Sequence, residues 1–141
     1  MLDKSDIENI FKLELDHLKD GIKNSKNLYH TFTLSTLDKE SPKSRTVVLR
    51  NVETAPLKIF FNADYRSPKI KQMINNPQCS ALFYDINRRV QIRMNCSSTI
   101  NYRNHISAKI WDKTPLQGRK CYMGPYTPSS TLDTYHPNIP L

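Results

Sequence analysis

The sequence predicts a mainly β fold with flanking helices, in which short strands pair antiparallel around one core. Stretches rich in Thr, Val, Phe, Tyr and Leu recur at short spacing between residues 28 and 100, as is typical of strands. The first three strands lie so close together in sequence that they should pair as an antiparallel meander. Helical periodicity marks the first 23 residues and shorter stretches further on. We predict one domain over residues 1–124 and a proline-rich loop or flexible tail over residues 125–141.

The first element should be a helix from about Asp6 to Lys23. Ser5 followed by Glu8 fits a capping box at its start. Apolar residues then recur every three or four positions, which gives one stripe for packing against a sheet. The stripe consists of Ile7, Phe11, Leu15, Leu18 and Ile22.

Three strands should follow, over residues 28–37, 43–52 and 57–62. Alternation along the second strand places Arg45, Val47 and Leu49 on one face, and Thr46, Val48 and Arg50 on the other. The third strand should return alongside the second. Its end, followed by the next helix start, would then lie near the arginines of the second strand.

Ser67-Pro68 predicts a helix start, because serine caps free N–H groups and proline suits the first helical position. This helix should run to about Asn75, with an apolar face made by Ile70, Met73 and Ile74. Strands are then expected over residues 79–84 and 89–100. The second of these alternates apolar residues with Gln91, Arg93 and Asn95, so its polar face should meet a ligand or a partner chain. A weak helical stripe follows Asn104, and a further short helix should start at Thr114-Pro115 and run towards Cys121.

Composition leaves several interpretations open. The chain carries 21 Lys and Arg against 13 Asp and Glu, a net charge of +8. This charge fits a solvated basic surface, a phosphorylated small molecule or nucleic acid. Only 38% of residues are hydrophobic and mean hydropathy is -0.61. Such a polar chain has a thin core or completes its core against a second subunit.

Motifs exclude other classes of protein. Only Gly21, Gly118 and Gly124 are glycines, which excludes a P-loop and a Rossmann fingerprint. Three cysteines and four histidines show no metal-ligand spacing, so we expect reduced thiols and a cytoplasmic protein. No apolar run is long enough for a membrane span, and no signal peptide is expected. No catalytic triad or close carboxylate pair stands out, so a cofactor would carry the chemistry of an enzyme built on this chain.

The most specific local hypothesis is a phosphate site at the start of the helix after Ser67. Free N–H groups at a helix N-terminus bind anions, and nearby cations strengthen the binding. Two strands and this helix start would gather cationic and hydroxyl side chains, namely Arg45, Arg50, Arg66, Ser67 and Lys69. An ordinary capped surface helix with solvated charges is the alternative.

An ordered set of motifs resembles the pyridoxamine 5′-phosphate oxidase-like, FMN-binding split-barrel family. The set begins with Arg45 to Arg50, continues with Arg66-Ser67-Pro68-Lys69 and Asn75-Asn76-Pro77, and ends with Phe83-Tyr84-Asp85 and Val90 to Arg93. Trp111 and Arg119-Lys120-Cys121-Tyr122 resemble a later segment of one branch. The resemblance implies a six-stranded antiparallel split barrel and a homodimer that binds FMN at the subunit interface.

The resemblance also implies roles for individual residues. Arg45 would meet the FMN phosphate, the backbone of Thr46, Val47 and Val48 would run along the flavin ring, and Arg50 would reach towards the flavin or a substrate phosphate. Asn62 and Ala63 would contact flavin at a strand end. Arg66, Ser67 and Lys69 form the phosphate signature, and Gln91 would come from the other subunit. Arg119 is a candidate substrate ligand. The implied activity is a flavin-dependent oxidoreductase acting on a small, phosphorylated substrate.

Three departures from the family pattern bear on that activity. Cys96 stands where the family has a glycine, and Pro68 replaces an arginine of the oxidase proper. The oxidase's Tyr-x-x-x-Arg-x-x-x-Ser substrate motif is absent, and members continue with closing strands, so we expect the barrel to lack its last strands. Two alternatives therefore stay open: a shortened, non-catalytic flavin- or haem-binding protein and, less favoured, a basic nucleic-acid-binding module.

Overall fold

The computed structural model describes residues 1–138 and residue 140. Six strands and four α-helices make up the described chain, with one short 3₁₀ helix. In chain order they are α1 (Lys4–Lys23), the 3₁₀ helix (Leu28–His30), β1 (Thr31–Asp38), β2 (Ser41–Val48), β3 (Asn51–Thr54), β4 (Leu57–Phe60), α2 (Pro68–Asn75), β5 (Gln78–Asp85), β6 (Val90–Ser97), α3 (His105–Lys113) and α4 (Leu116–Lys120). Five strands were predicted from the residues, and the structure has six because the predicted second strand divides into β2 and β3. Every pairing among them is antiparallel.

The strands form a four-stranded sheet in the order β2-β1-β5-β6 and a separate two-stranded ribbon of β3 and β4. The predicted meander is therefore only partly right: neighbouring strands pair as hairpins, but β1 also pairs with β5. The predicted pairing of the second strand with the third is right only for its last two residues, Asn51 and Val52. Residues 57–60 pair with Asn51–Thr54, while Ser41–Val48 pairs with β1.

The predicted strand over residues 43–52 divides at Leu49 and Arg50, where the chain passes from the sheet to the ribbon. Leu49 is fully buried, and its N–H donates to the carbonyl of His30 (2.9 Å). The N–H of Arg50 donates instead to the carbonyl of Phe60 (2.8 Å). One buried side chain thus fixes the crossing point, and the next residue already belongs to the ribbon.

The core lies on one face of the four-stranded sheet, beneath α1 and α2. Period-two alternation places Phe32, Leu34 and Thr36 of β1 inside. Phe83 of β5 stacks on Phe32 with ring centroids 4.7 Å apart and meets the edge of Tyr29 at 5.6 Å. The predicted strand from residue 28 begins instead as a 3₁₀ turn, because Asn27 accepts a hydrogen bond from the Tyr29 N–H.

Helix α1 starts two residues before its predicted position. Asp3 and Asp6 form the capping box, rather than Ser5 and Glu8. The predicted stripe packs only in its second half, since Leu18 is buried whereas Ile7 and Phe11 are 57% and 52% exposed.

An ion-pair network fastens the middle of α1 to the β5–β6 turn. The Arg88 guanidinium donates to both Glu14 carboxylate oxygens (2.7 and 3.0 Å) and to Asp85 (2.7 Å). The Tyr29 hydroxyl donates to Glu14 as well (2.7 Å). The hydrogen bond from Arg88 lowers the pKa of Glu14 despite its burial, and burial raises the pKa of Tyr29 to about 12. The buried Glu14 carboxylate on this helix therefore has its hydrogen bonds and its charge satisfied by Arg88 and Tyr29.

Helix α2 follows the prediction closely, with two differences. Ser67 occupies the cap position but makes no side-chain capping bond, because its hydroxyl accepts from Lys69 instead. Ile70 and Met73 are buried as predicted, whereas Ile74 is 54% exposed.

The remaining predictions concern the C-terminal third. The expected strands at residues 79–84 and 89–100 are β5 and β6, and Gln91, Arg93 and Asn95 lie exposed on one face of β6. Helices α3 and α4 form where expected but bury no residue fully. Beyond residue 124, the described residues contain no helix or strand. The boundary of the predicted domain at residue 124 stays a prediction.

Candidate functional site

A cleft of about 260 Å³ opens where the four-stranded sheet, the ribbon and the start of α2 meet. It collects residues from four segments of the chain that are distant in sequence. Its lining consists of Thr46, Val47, Val48, Arg50, Asn62, Ala63, Asp64, Lys69, Cys121, Tyr122 and Pro128. Seven of these are residues that the sequence predicted for a flavin site: all except Asp64, Cys121, Tyr122 and Pro128.

The crossing of the chain between the two sheets brings two of these segments together. Thr46 and Val48 project from the face of β2 opposite the buried Val47 and Leu49. Since the Arg50 N–H is bonded to Phe60, the residues just after β4, Asn62 and Ala63, lie beside the end of β2. Pairing of Asn51 with Phe60 in the ribbon maintains this arrangement.

The turn between Ala63 and α2 is built around Asp64. Its carboxylate accepts from the Arg66 backbone N–H (2.9 Å) and from the Arg66 guanidinium (2.6 Å). The hydrogen bond from the Arg66 side chain lowers the pKa of Asp64. Arg66 is thus neutralised by a neighbour two residues away and does not line the cleft.

Lys69 is a half-buried cation of the cleft, whereas Arg50, which also lines it, is exposed. The Lys69 ammonium group donates to the Ser67 hydroxyl (2.9 Å), and none of the ion pairs among the described residues includes it. Burial, followed by the nearby charge of Arg45, lowers the pKa of Lys69, and Asp64 only partly opposes this. Partial burial and the charge of Arg45 disfavour the charged form of Lys69, so a bound anion would stabilise it.

Arg45 approaches Lys69 but is held inside the protein. Its guanidinium donates to Thr36 Oγ1 (2.7 Å), to Gln72 Oε1 (3.1 Å) and to the Leu34 carbonyl (3.2 Å). These contacts tie α2 to β1, and burial lowers the pKa of Arg45. Arg45 supports the charge of the cleft from behind and does not line it.

The residues present fit the phosphate end of FMN. Lys69 offers a cation at a helix start, and Arg50 offers a second, exposed cation along the cleft. Ser67 is 6% exposed and does not line the cleft, and its hydroxyl accepts from the Lys69 ammonium group. Residues Thr46–Val48 and the polar end of the ribbon at Asn62 line the same cleft. A phosphate, a ribityl chain and a ring system require such a series of charged, polar and flat surfaces.

Besides Arg45, Arg66 and Ser67, two further predicted residues do not line the cleft. Gln91 is exposed on β6 and is not among the residues lining the cleft of its own chain. Arg119 donates to the carbonyls of Trp111 (3.1 Å) and Asp112 (3.2 Å), which places its guanidinium at the end of α3. The parts of both residues in binding stay predictions.

Sequence reasoning missed Asp64, Cys121, Tyr122 and Pro128 as lining residues. Cys121 and Tyr122 belong to the Arg-x-Cys-Tyr segment, which was noted for its resemblance but given no place in the cleft. Asp64 precedes the Arg66-Ser67 signature, and an acidic residue beside a phosphate site has no obvious signal. No helix among the described residues is long and apolar enough to span a membrane, and no cluster of three metal-binding side chains occurs among them.

Comparison with known proteins places the fold and the family. The family model described as pyridoxamine 5′-phosphate oxidase, FMN-binding domain, matches residues 14–101. No curated protein sequence matches. A pyridoxamine 5′-phosphate oxidase-related, FMN-binding protein from Nostoc punctiforme has a similar structure, with a TM-score of 0.69 and 22% identity over 92% of this chain and 70% of that one.

Two further solved structures share the fold. A protein from Listeria innocua described as a pyridoxamine 5′-phosphate oxidase has a TM-score of 0.57 and 17% identity over 72% of this chain and 73% of that one. A NimC/NimA family protein from Clostridium acetobutylicum has a TM-score of 0.53 and 20% identity over 72% and 63%. These likenesses confirm the predicted split-barrel fold class, and the matched family confirms FMN as the cofactor of the domain type. The chain belongs to the pyridoxamine 5′-phosphate oxidase family of FMN-binding domains.

Proposed function

We propose that the cleft holds FMN and that the protein works as a homodimeric flavoprotein oxidoreductase. The observation that carries this proposal is the half-buried Lys69, which faces the cleft without an ion-pair partner among the described residues. In this proposal Lys69 binds the phosphate, Ser67 at the same helix start positions the Lys69 ammonium group, and Arg45 adds its charge from behind. Thr46–Val48 lie along the ring system, and Asn62 and Ala63 contact it from the end of the ribbon.

The size of the cleft supports the proposal of a dimer. At about 260 Å³ it falls below the roughly 300–1,000 Å³ of typical ligand pockets. Gln91 lies exposed on β6, at the edge of the sheet. A second copy would supply Gln91 to the cleft, enlarge the pocket and cover an otherwise open strand edge.

FMN, when bound, supplies the two-electron redox chemistry that none of the cleft side chains provides. The chain's own residues would orient the cofactor, exclude water and bind the substrate. Arg50 is an exposed cation on the cleft wall and would attract a small anionic, phosphorylated substrate. Arg119 would reach such a substrate only if it left the end of α3. We also propose a cytoplasmic location, because all three cysteines are free thiols.

Titration of the purified protein with FMN, followed by flavin absorbance and fluorescence, tests the proposal. We expect saturation at one FMN per chain and a dimer by light scattering. A folded protein that stays colourless and takes up no added FMN would refute it. Turnover of pyridoxamine 5′-phosphate with oxygen by the loaded protein would identify an enzyme, whereas FMN or haem uptake without turnover of any phosphorylated amine or alcohol would favour the non-catalytic alternative. Salt-sensitive retention of DNA or RNA by the colourless protein would favour the nucleic-acid alternative.

A further inference from the structure

The segment of residues 116–128, here termed the strap, forms one wall of the cleft although the matched family region ends at residue 101. It comprises α4 and the turn after it. Cys121, Tyr122 and Pro128 line the cleft together with Thr46–Val48 and Arg50. The strap therefore contributes a cysteine, a tyrosine and a proline to a site whose other residues come from the sheet, the ribbon and α2.

Side-chain bonds hold the strap at both ends. At the first end, Arg119 donates to the last carbonyls of α3 at Trp111 and Asp112, and its guanidinium lies 5.2 Å from the centre of the Trp111 ring. At the second end, Asn138 accepts from the Tyr126 N–H (2.8 Å) and donates to the Tyr126 carbonyl (2.9 Å). Gly124 is buried against Asn138, and an added Cβ would overlap Asn138 atoms.

The three thiols differ in a way that makes the strap observable. Cys121 is exposed, and its Sγ donates weakly to the Gln117 carbonyl (3.7 Å). Cys79 and Cys96 face each other across β5 and β6, half-buried, and burial raises the pKa of both thiols. Because the thiolate is the reactive form, Cys121 should be the thiol that reagents modify first.

We infer that Cys121 and Tyr122 form a wall of the FMN cleft within the same chain, and that Arg119 is the positioning residue that holds this wall. The inference rests on the proposed function of the cleft. It assigns Arg119 a role through Cys121 and Tyr122, instead of direct contact with substrate. The strap would then determine what lies against the cofactor on this side.

Thiol alkylation with iodoacetamide, mapped by peptide mass spectrometry, tests this inference. FMN at ten times its Kd should slow modification of Cys121 about tenfold, as expected if bound protein is protected. Cys79 and Cys96 should stay slow with and without FMN and serve as internal controls. By reciprocity, prior modification of Cys121 with N-ethylmaleimide should weaken FMN binding. In Cys121→Ser protein, whatever its own FMN affinity, treatment with the same reagent should cause no further weakening.

Arg119 variants test the positioning role. Arg119→Gln should reduce the protection of Cys121 at saturating FMN, and Arg119→Lys should restore part of it, while Lys113→Gln at the exposed end of α3 should leave it unchanged. The inference would be overturned if flavin fluorescence showed that FMN binds but the rate of Cys121 modification stayed the same. Equal protection in Arg119→Gln and the unaltered protein would overturn the role of Arg119. A failure of FMN to bind, visible in flavin fluorescence, would instead overturn the proposed function, and this inference with it.

Discussion

Replacing Lys69 with glutamine should weaken FMN binding while leaving riboflavin binding nearly unchanged. Riboflavin lacks only the phosphate, so the comparison isolates the group that Lys69 is proposed to hold. A hydrogen bond to a charged group contributes about 1.5–3 kcal/mol. Loss of one such bond corresponds to an increase of about 10- to 150-fold in the Kd for FMN. Lys71→Gln, two residues along the same helix and exposed, is the matched control.

The same substitution should not destabilise the protein without FMN. Burial lowers the pKa of Lys69, so the folded state disfavours the charged form that prevails at neutral pH. This unfavourable contribution is present below the lowered pKa and disappears as pH rises through it towards 10.5, the ordinary value. Lys69→Gln should therefore keep or raise the melting temperature near pH 7. Binding-site residues commonly reduce the stability of a protein in this way.

Fluorescence titrations of both flavins with the three proteins measure the effect, and thermal unfolding without flavin measures the stability. Equal weakening of FMN and riboflavin would show that Lys69 supports the shape of the cleft instead of binding the phosphate. An equal loss of FMN affinity in Lys71→Gln would show that the effect comes from the net charge of the surface and not from Lys69 itself. Either result would refute the assignment of Lys69.

Two further predictions concern stability and are measured by denaturant unfolding. Gly21→Ala should cost about 1–3 kcal/mol, because its Cβ would lie 2.9 Å from the backbone of Tyr29; Gly118→Ala, which meets only a threonine methyl group, should be neutral, and similar values for both would contradict the packing argument. Arg88→Met should cost about 2–3 kcal/mol at pH 7, since it leaves Glu14 buried without its cation. Because the pKa of Glu14 is lowered, this stability is present above pH 4.5, the ordinary value, and is lost as pH falls through the lowered pKa. The free energy of unfolding of Arg88→Met should therefore fall less steeply on acidification than that of the unaltered protein. An unchanged pH profile would contradict the role of Arg88.

Local patterns were sufficient to predict elements but not their partners. The alternation of β6 and the Ser67-Pro68 start of α2 are each encoded within a few residues, and both were predicted correctly. The partner of residues 57–60 depends on where the preceding strand breaks. That break follows from the burial of Leu49 against the rest of the core, which no local pattern contains.

The same distinction applies to the cleft. Lys69 and Arg50 were recognised from residue type and resemblance, and both line it. Arg45 was expected at the phosphate, but buried acceptors on Thr36 and Gln72 hold its guanidinium inside. These acceptors are 9 and 27 residues away in sequence. Whether a charge faces a ligand or satisfies the interior is decided by such distant groups.

The passage of the chain from sheet to ribbon at Leu49 and Arg50 makes the cleft a joint between two parts of the fold. One side of the joint is β2, and the other is the end of the ribbon at Asn62. The ribbon is short, with four residue pairs between β3 and β4, and Val52 is its one buried hydrophobic residue. A flavin that contacts both β2 and the ribbon would restrict their relative motion, so amide hydrogen exchange of the ribbon should slow when FMN binds. The cofactor would then be part of what gives the domain its final shape.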